Sequence, residues 1–262
     1  MKVVLKSQEE IAIMREAGRI VALSHQAMRE AVKAGVSTLE LDQIAEAVLR
    51  DHNAIPAFLN YQPVKSKPPF PATITASINH ELVHGIPSAD RILQEGDIIS
   101  LDIACIYEGF VGDAAFTMGV GQIAPAVQRL IDAAEETLAQ AIKVAIPTNK
   151  ISDIARATQK NAAKYGYSVA REYSGHGVGR KMHEAPQVPN WWSKKRDQML
   201  WPDYELKPGM TFAIEPMLII GKSDLYELDD EWTVVTKDHT LCAHVEHTIA
   251  ITEGEPLILT QL

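Results

Sequence analysis

Cysteine is almost absent: the 262 residues carry two, Cys105 and Cys242, each inside an apolar run. Two isolated thiols with no CxxC pair argue against a disulfide framework or a structural zinc, and point to a reducing compartment. Basic residues are also short, 25 Lys plus Arg against 34 Asp plus Glu, for a formal net charge of −9. Sequence-independent grip on a phosphate backbone needs clustered cations, so no DNA partner is expected. No apolar run approaches the roughly 18 residues of a membrane span, and the N-terminus holds charges where a signal peptide needs an apolar core. A soluble, cytoplasmic chain is expected. What is present, 46% apolar and 23% charged residues, is the composition of a globular domain and excludes disorder, collagen-like repeats and a coiled-coil rod.

Capping boxes open two helices, Ser7 with Glu10 and Ser37 with Glu40, the first expected to end near Gly35. Five prolines between Pro56 and Pro71 remove backbone donors and predict a loop. Alternation at 74–78 predicts a strand, and 97–107 with 110–120 a hairpin turning at Glu108-Gly109. Pro125 starts a third helix, a fourth covers about 151–165, and 209–220 and 232–251 return to β patterning. The order helix, helix, loop, strands thus occurs twice. Gly96 lies six residues before Asp102, and Gly209 six before Glu215. The reading is one catalytic domain over 1–262, with pseudo-repeat halves of about 1–121 and 122–262 related by a pseudo-twofold.

Acids interrupt the apolar strands. Asp102, Asp113, Glu215 and Glu246 each stand in a segment that otherwise reads as core. Any one of them alone fits a surface-facing strand position. Four converging carboxylates would repel one another, and no Lys or Arg lies in those segments to neutralise them. Two divalent cations would cancel the charge, and oxygen ligands with an imidazole suit Mn, Fe, Co or Zn. His176 is flanked by Gly175, Gly177 and Gly179, which permit close backbone approach, and His183 follows seven residues later. His25 is expected to be solvent exposed on the first helix. His52, His80, His239, His244 and His247 are read as hydrogen-bonded turn histidines.

The segments Asn79 to Pro87, Asp102 with Asp113, Gly175 to Glu184, Lys207 to Pro216 and Glu246-His247-Thr248 together resemble type I methionine aminopeptidase along essentially the whole chain. The resemblance implies an α+β "pita-bread" fold, a curved antiparallel sheet flanked by two pairs of helices. It implies two divalent ions bridged by Asp113 and Glu246, with Asp102 completing one and His176 and Glu215 the other. Glu215 would be the general base, His84 would assist the leaving nitrogen and His183 would steady the carbonyl oxygen. Phe70, Thr75, His84, Met182 and Trp232 would line a methionine pocket; Thr75 stands where many relatives carry cysteine. The implied reaction removes the initiator methionine from nascent polypeptides when the second residue is small, by a monomer in transient association with the ribosome. Prolidase-like relatives usually carry an extra N-terminal domain, for which 262 residues leave no room. The stretch 190–202, with three tryptophans beside three cations, reads as an insertion packed over the sheet edge.

Overall fold

The computed structural model describes residues 2–193 and 201–262. Among the described residues four helices form two pairs, α1 (Gln8–Ala31) with α2 (Thr38–Asp51), and α3 (Pro125–Lys143) with α4 (Ile151–Lys164). Both expected capping boxes are made: Ser7 and Ser37 accept from the backbone of Glu10 and Glu40, whose side chains reach back to the cap N–H. Each box satisfies two N–H groups that the helix start leaves unpaired. Helix α1 stops earlier than Gly35, because Gly35 N–H donates to Leu93 O and Leu93 N–H to Val36 O, drawing the chain out of the helix.

The hairpin Ile98–Tyr107 and Phe110–Gly119 is paired along its full length, with Tyr107 opposite Phe110. Glu108 (φ 47°) and Gly109 (φ 79°) both take left-handed conformations, as a two-residue hairpin turn demands. Strand Ile74–Ile78 adds antiparallel to it, placing Thr75 opposite Asp102. Leu41, Leu49, Ile99, Leu101, Ile103 and Phe116 form a core between this sheet and the α1–α2 pair. In the second half, Thr211–Ile214 pairs with His247–Ala250 and Ser174–Gly177 lies beside Glu184–Pro189, backed by α3 and α4 through Leu130, Leu138, Ile154, Phe212 and Ile249. Among the described residues every strand pairing is antiparallel.

Hydrogen bonds join the hairpin to segment 246–248. Glu246 N–H donates to Ala115 O at 2.9 Å and the Thr248 hydroxyl to Asp113 O at 2.7 Å. Asp113 and Glu246 are thereby brought side by side.

His25 is not exposed. It is buried, its Nε2 lies 3.0 Å from Ala114 O, and its ring meets Phe116 edge-on. Helix α1 is wrapped on more than one side, by the hairpin, by α2 and by the Leu259–Gln261 tail that Arg15 holds, so its apolar stripe understates its burial. In the 190–202 stretch, Trp191 and Trp192 are buried, Trp191 Nε1–H donates to Arg171 O, and Trp201 meets Trp191 edge-on. Trp192 N–H donates to Gln159 Oε1 on α4, so those described residues pack against that helix; 194–200 lie outside the described residues.

Candidate metal centre

The strand predicted across 209–220 is interrupted. Thr211–Ile214 ends, Glu215-Pro216 intervenes, and Met217–Ile219 begins in a different ladder. The facing chain breaks in step: Cys242–His244 ends, Val245-Glu246 intervenes, and His247–Ala250 begins. Proline has no N–H to give a ladder, and Pro216 contributes its carbonyl instead, accepting from Val245 N–H at 3.2 Å. Both glutamates stand at this paired break. Asp102 and Asp113 come to the same place from the hairpin: Asp102 faces Ala115 and Asp113 faces Ala104, so the two acids are diagonal neighbours on one face. His176 arrives from Ser174–Gly177.

The four acids and the imidazole are all buried, at 8% exposure for Asp102, 2% for Asp113, 7% for His176, 8% for Glu215 and 3% for Glu246. His176 Nε2 stands 3.7 Å from Asp113 Oδ2 and 3.6 Å from Glu215 Oε1. Its Nδ1 is 3.1 Å from Gly177 O. That contact assigns the proton to Nδ1 and turns the Nε2 lone pair towards the acids, the tautomer of a metal-binding histidine. Among the described residues no Lys or Arg pairs with any of the four acids.

Burial pushes all four carboxyls up, Asp113 to about 7, and repulsion adds to it: Asp113 acts on Asp102, and Asp113 and Asp102 act on Glu215 and Glu246. Burial pushes His176 down to about 3. Of five buried side-chain polar atoms without a hydrogen-bond partner among the described residues, four are here: Asp102 Oδ1, Asp113 Oδ1, Glu246 Oε1 and His244 Nε2. Buried polar atoms are rarely left unpaired. Orphaned carboxylate oxygens with an imidazole lone pair among them are the donor set of a divalent cation, and two such sets, Asp113–His176–Glu246 and Glu215–His244–Glu246, have their donor atoms within 4.8 Å of one another.

His244 is not the hydrogen-bonded turn histidine that the sequence suggests: it ends the strand Cys242–His244, is 2% exposed, and its Nε2 has no hydrogen bond. Gly175 and Gly177 permit close approach of neighbouring backbone. An added Cβ at Gly175 would lie 2.4 Å from Ala213 O, and at Gly177 2.3 Å from Ala185 O. They let neighbouring backbones close on both sides of the His176 strand.

These groups floor a cavity of about 380 Å³. Phe70, Thr75, His84, Met182, His183 and Trp232 all line it. Phe70 meets Trp232 edge-on at 5.2 Å, and Trp232 Nε1–H donates to Pro68 O. His84 takes a left-handed φ of 63°, and an added Cβ on the following Gly85 would lie 2.3 Å from Ala76 O. This kink turns the His84 ring edge-on to Tyr173 and Trp232 in the cavity wall, and burial lowers its pKa to about 4. Tyr61, from the proline-rich loop, was not anticipated. Its hydroxyl is 2.9 Å from His183 Nδ1 and its ring stacks on the imidazole. Burial holds the Tyr61 phenol above its ordinary pKa, so it keeps its proton and is able to donate to His183 Nδ1.

The family model for metallopeptidase family M24 matches residues 12–253. The chain is 44% identical over 262 residues to the methionine aminopeptidase of Aquifex aeolicus, covering 100% of both. It is 45% identical over 260 residues to methionine aminopeptidase 1 of Bacillus subtilis, covering 99% of this chain and 100% of that one. The crystal structure of methionine aminopeptidase from Thermotoga maritima superposes with a TM-score of 0.93 at 34% identity, covering 100% of both chains. Prolidase from Pyrococcus furiosus shares the fold, with a TM-score of 0.77 at 22% identity over 99% of this chain and 66% of that one. The architecture is the pita-bread fold, and the chain belongs to metallopeptidase family M24, among its methionine aminopeptidases.

Proposed function

We propose that this chain removes the N-terminal methionine from nascent polypeptides whose second residue is small and uncharged. The observation that supports this most directly is the convergence of four buried carboxylates and His176 at the floor of a cavity walled by Phe70, Met182 and Trp232. In this reading Asp102, Asp113, His176, Glu215 and Glu246 would together hold two divalent ions. Mn, Fe, Co and Zn all suit such ligands, and availability selects among them. Bound divalent ions supply Lewis acidity, acidifying a water and stabilising negative charge on the scissile carbonyl oxygen.

The side chains do the rest. Glu215 accepts the proton of the attacking water and relays it to the leaving nitrogen. His84, held neutral by burial, hydrogen-bonds that nitrogen as it departs. His183, its Nδ1 held by Tyr61, directs Nε2–H at the carbonyl oxygen. Phe70, Thr75, His84, Met182 and Trp232 take the methionine side chain, whose thioether favours an aromatic, apolar wall. No described helix is long and apolar enough to cross a membrane, which accords with the cytoplasmic monomer, in transient contact with the ribosome, that we propose.

Methionine release from Met-Ala-Ser and Met-Lys-Ser by metal-stripped protein, titrated with Mn or Co, tests this. Metal-dependent cleavage of Met-Ala-Ser alone, lost in Glu215→Gln, is expected. Cleavage of an Xaa-Pro peptide with no methionine released would move the chain to the proline-specific activities of its relatives.

A further inference from the structure

His244 is placed more rigidly than a spacer residue requires. Its N–H donates to Thr117 Oγ1 at 3.0 Å and its carbonyl accepts from the same hydroxyl at 2.7 Å, while Met217 pairs with it from the neighbouring strand. With the backbone pinned on both sides, the buried ring lies at the break between strands, one residue from Val245-Glu246. Its Nε2 is 3.6 Å from Glu246 Oε2 and 3.9 Å from Glu215 Oε2. Neither is a hydrogen bond, since an N–H···O contact closes to about 2.7–3.2 Å. Both are separations expected between two ligand atoms that share one cation, each at roughly 2.0–2.2 Å from it. They also match the distances at which His176 Nε2 stands from its own acids, 3.6 Å to Glu215 Oε1 and 3.7 Å to Asp113 Oδ2. A buried imidazole nitrogen that faces two carboxylates at this range, with no hydrogen bond to either, is repaid for its desolvation by a shared cation between them.

We propose that His244 Nε2 is itself a metal ligand, joining Glu215 and Glu246 around a cation of this centre. This rests on the reading of the acids as a divalent-metal site, and adds to it a second imidazole. Imidazole suits Zn, Fe, Co and Ni better than it suits Mn or Mg, so the second nitrogen tilts the centre towards the later metals.

Cobalt is the probe. The fully cobalt-loaded wild-type protein is examined by NMR for hyperfine-shifted, solvent-exchangeable ring N–H resonances, one per coordinated imidazole. Calorimetric titration of cobalt and zinc into metal-free wild type and His244→Gln accompanies it. Two shifted resonances in the wild type, one in His244→Gln, and a loss of about 10–100-fold or more in affinity for one ion are expected. One shifted resonance in the wild type would overturn the ligand role, even if the variant does not fold. Equal affinities in wild type and variant would overturn it as well, and a fall in turnover at unchanged affinity would make His244 a positioning residue for Glu215. Failure of wild-type protein to bind cobalt or zinc at all would overturn the reading of the acids along with the role of His244.

Discussion

Glu215 carries two duties in this mechanism, ligand and proton acceptor, and Glu215→Gln separates them by keeping the shape of the side chain while removing its basicity. The expected result is a fall in kcat by about 10²–10⁴, the usual contribution of a general base, with metal content followed by elemental analysis in the same samples. Tyr61→Phe acts less severely. It removes the hydroxyl at His183 Nδ1 and so frees the imidazole to take the other tautomer. Losing one such hydrogen bond is worth about 0.5–1.5 kcal/mol, which corresponds to a fall in kcat of roughly 2- to 12-fold with KM little changed, measured by steady-state kinetics on Met-Ala-Ser. Asp102, Asp113, Glu215 and Glu246 were readable in advance because an acid inside an apolar run is chemically out of place. His244 and Tyr61 were not: a histidine between Ala243 and Val245 looks like ordinary strand alternation, and a tyrosine among prolines has no period to betray it. Their roles exist only where distant segments close on one another.

At the level of strands and helices, the helix starts were fully written in the sequence, because a capping box is a local structure made by residues three apart. The strand breaks at Glu215-Pro216 and Val245-Glu246 were not, since both segments keep β patterning through the interruption. What divides them is a three-dimensional requirement: the chain passes from one ladder to another, and the acids occupy the gap. The His176 strand shows the same dependence on neighbours. Gly175→Ala would push a Cβ to 2.4 Å from Ala213 O, and the strand must shift to accommodate it. Overpacking of this kind costs about 1–3 kcal/mol, to be read from chemical denaturation of the metal-free protein. Metal affinity, measured by calorimetry, is expected to fall with it, because the shift carries His176 away from Asp113 and Glu215.

Across the protein as a whole, the site couples stability to both pH and metal. The Asp113 carboxyl rises from an ordinary 3.8 to about 7 in the folded protein, through burial, and Asp102, Glu215 and Glu246 rise in the same direction. A group whose folded pKa lies above its unfolded value stabilises the fold below the unfolded pKa, and that contribution is lost as pH climbs from about 4 to about 7. His176 and His244 run the other way: both are lowered to about 3 from 6.5, so their contribution is present above 6.5 and lost as pH falls. A divalent ion competes with the carboxyl protons and offsets the first loss but not the second. The gain in Tm on adding Mn or Co is therefore expected to be larger at about pH 8 than at about pH 5, as differential scanning calorimetry will show; an equal gain at both would mean that the acids carry no proton for the metal to displace.

The central claim is that the four acids and His176 converge in order to hold divalent ions. Crystals of the protein grown with manganese, or soaked in it, and measured on both sides of the manganese absorption edge, locate the ions with no reference to activity. Two anomalous peaks are expected, one within bonding distance of Asp102, Asp113 and Glu246, the other within bonding distance of His176 and Glu215. A fully occupied manganese on the surface with no peak among these residues would contradict it.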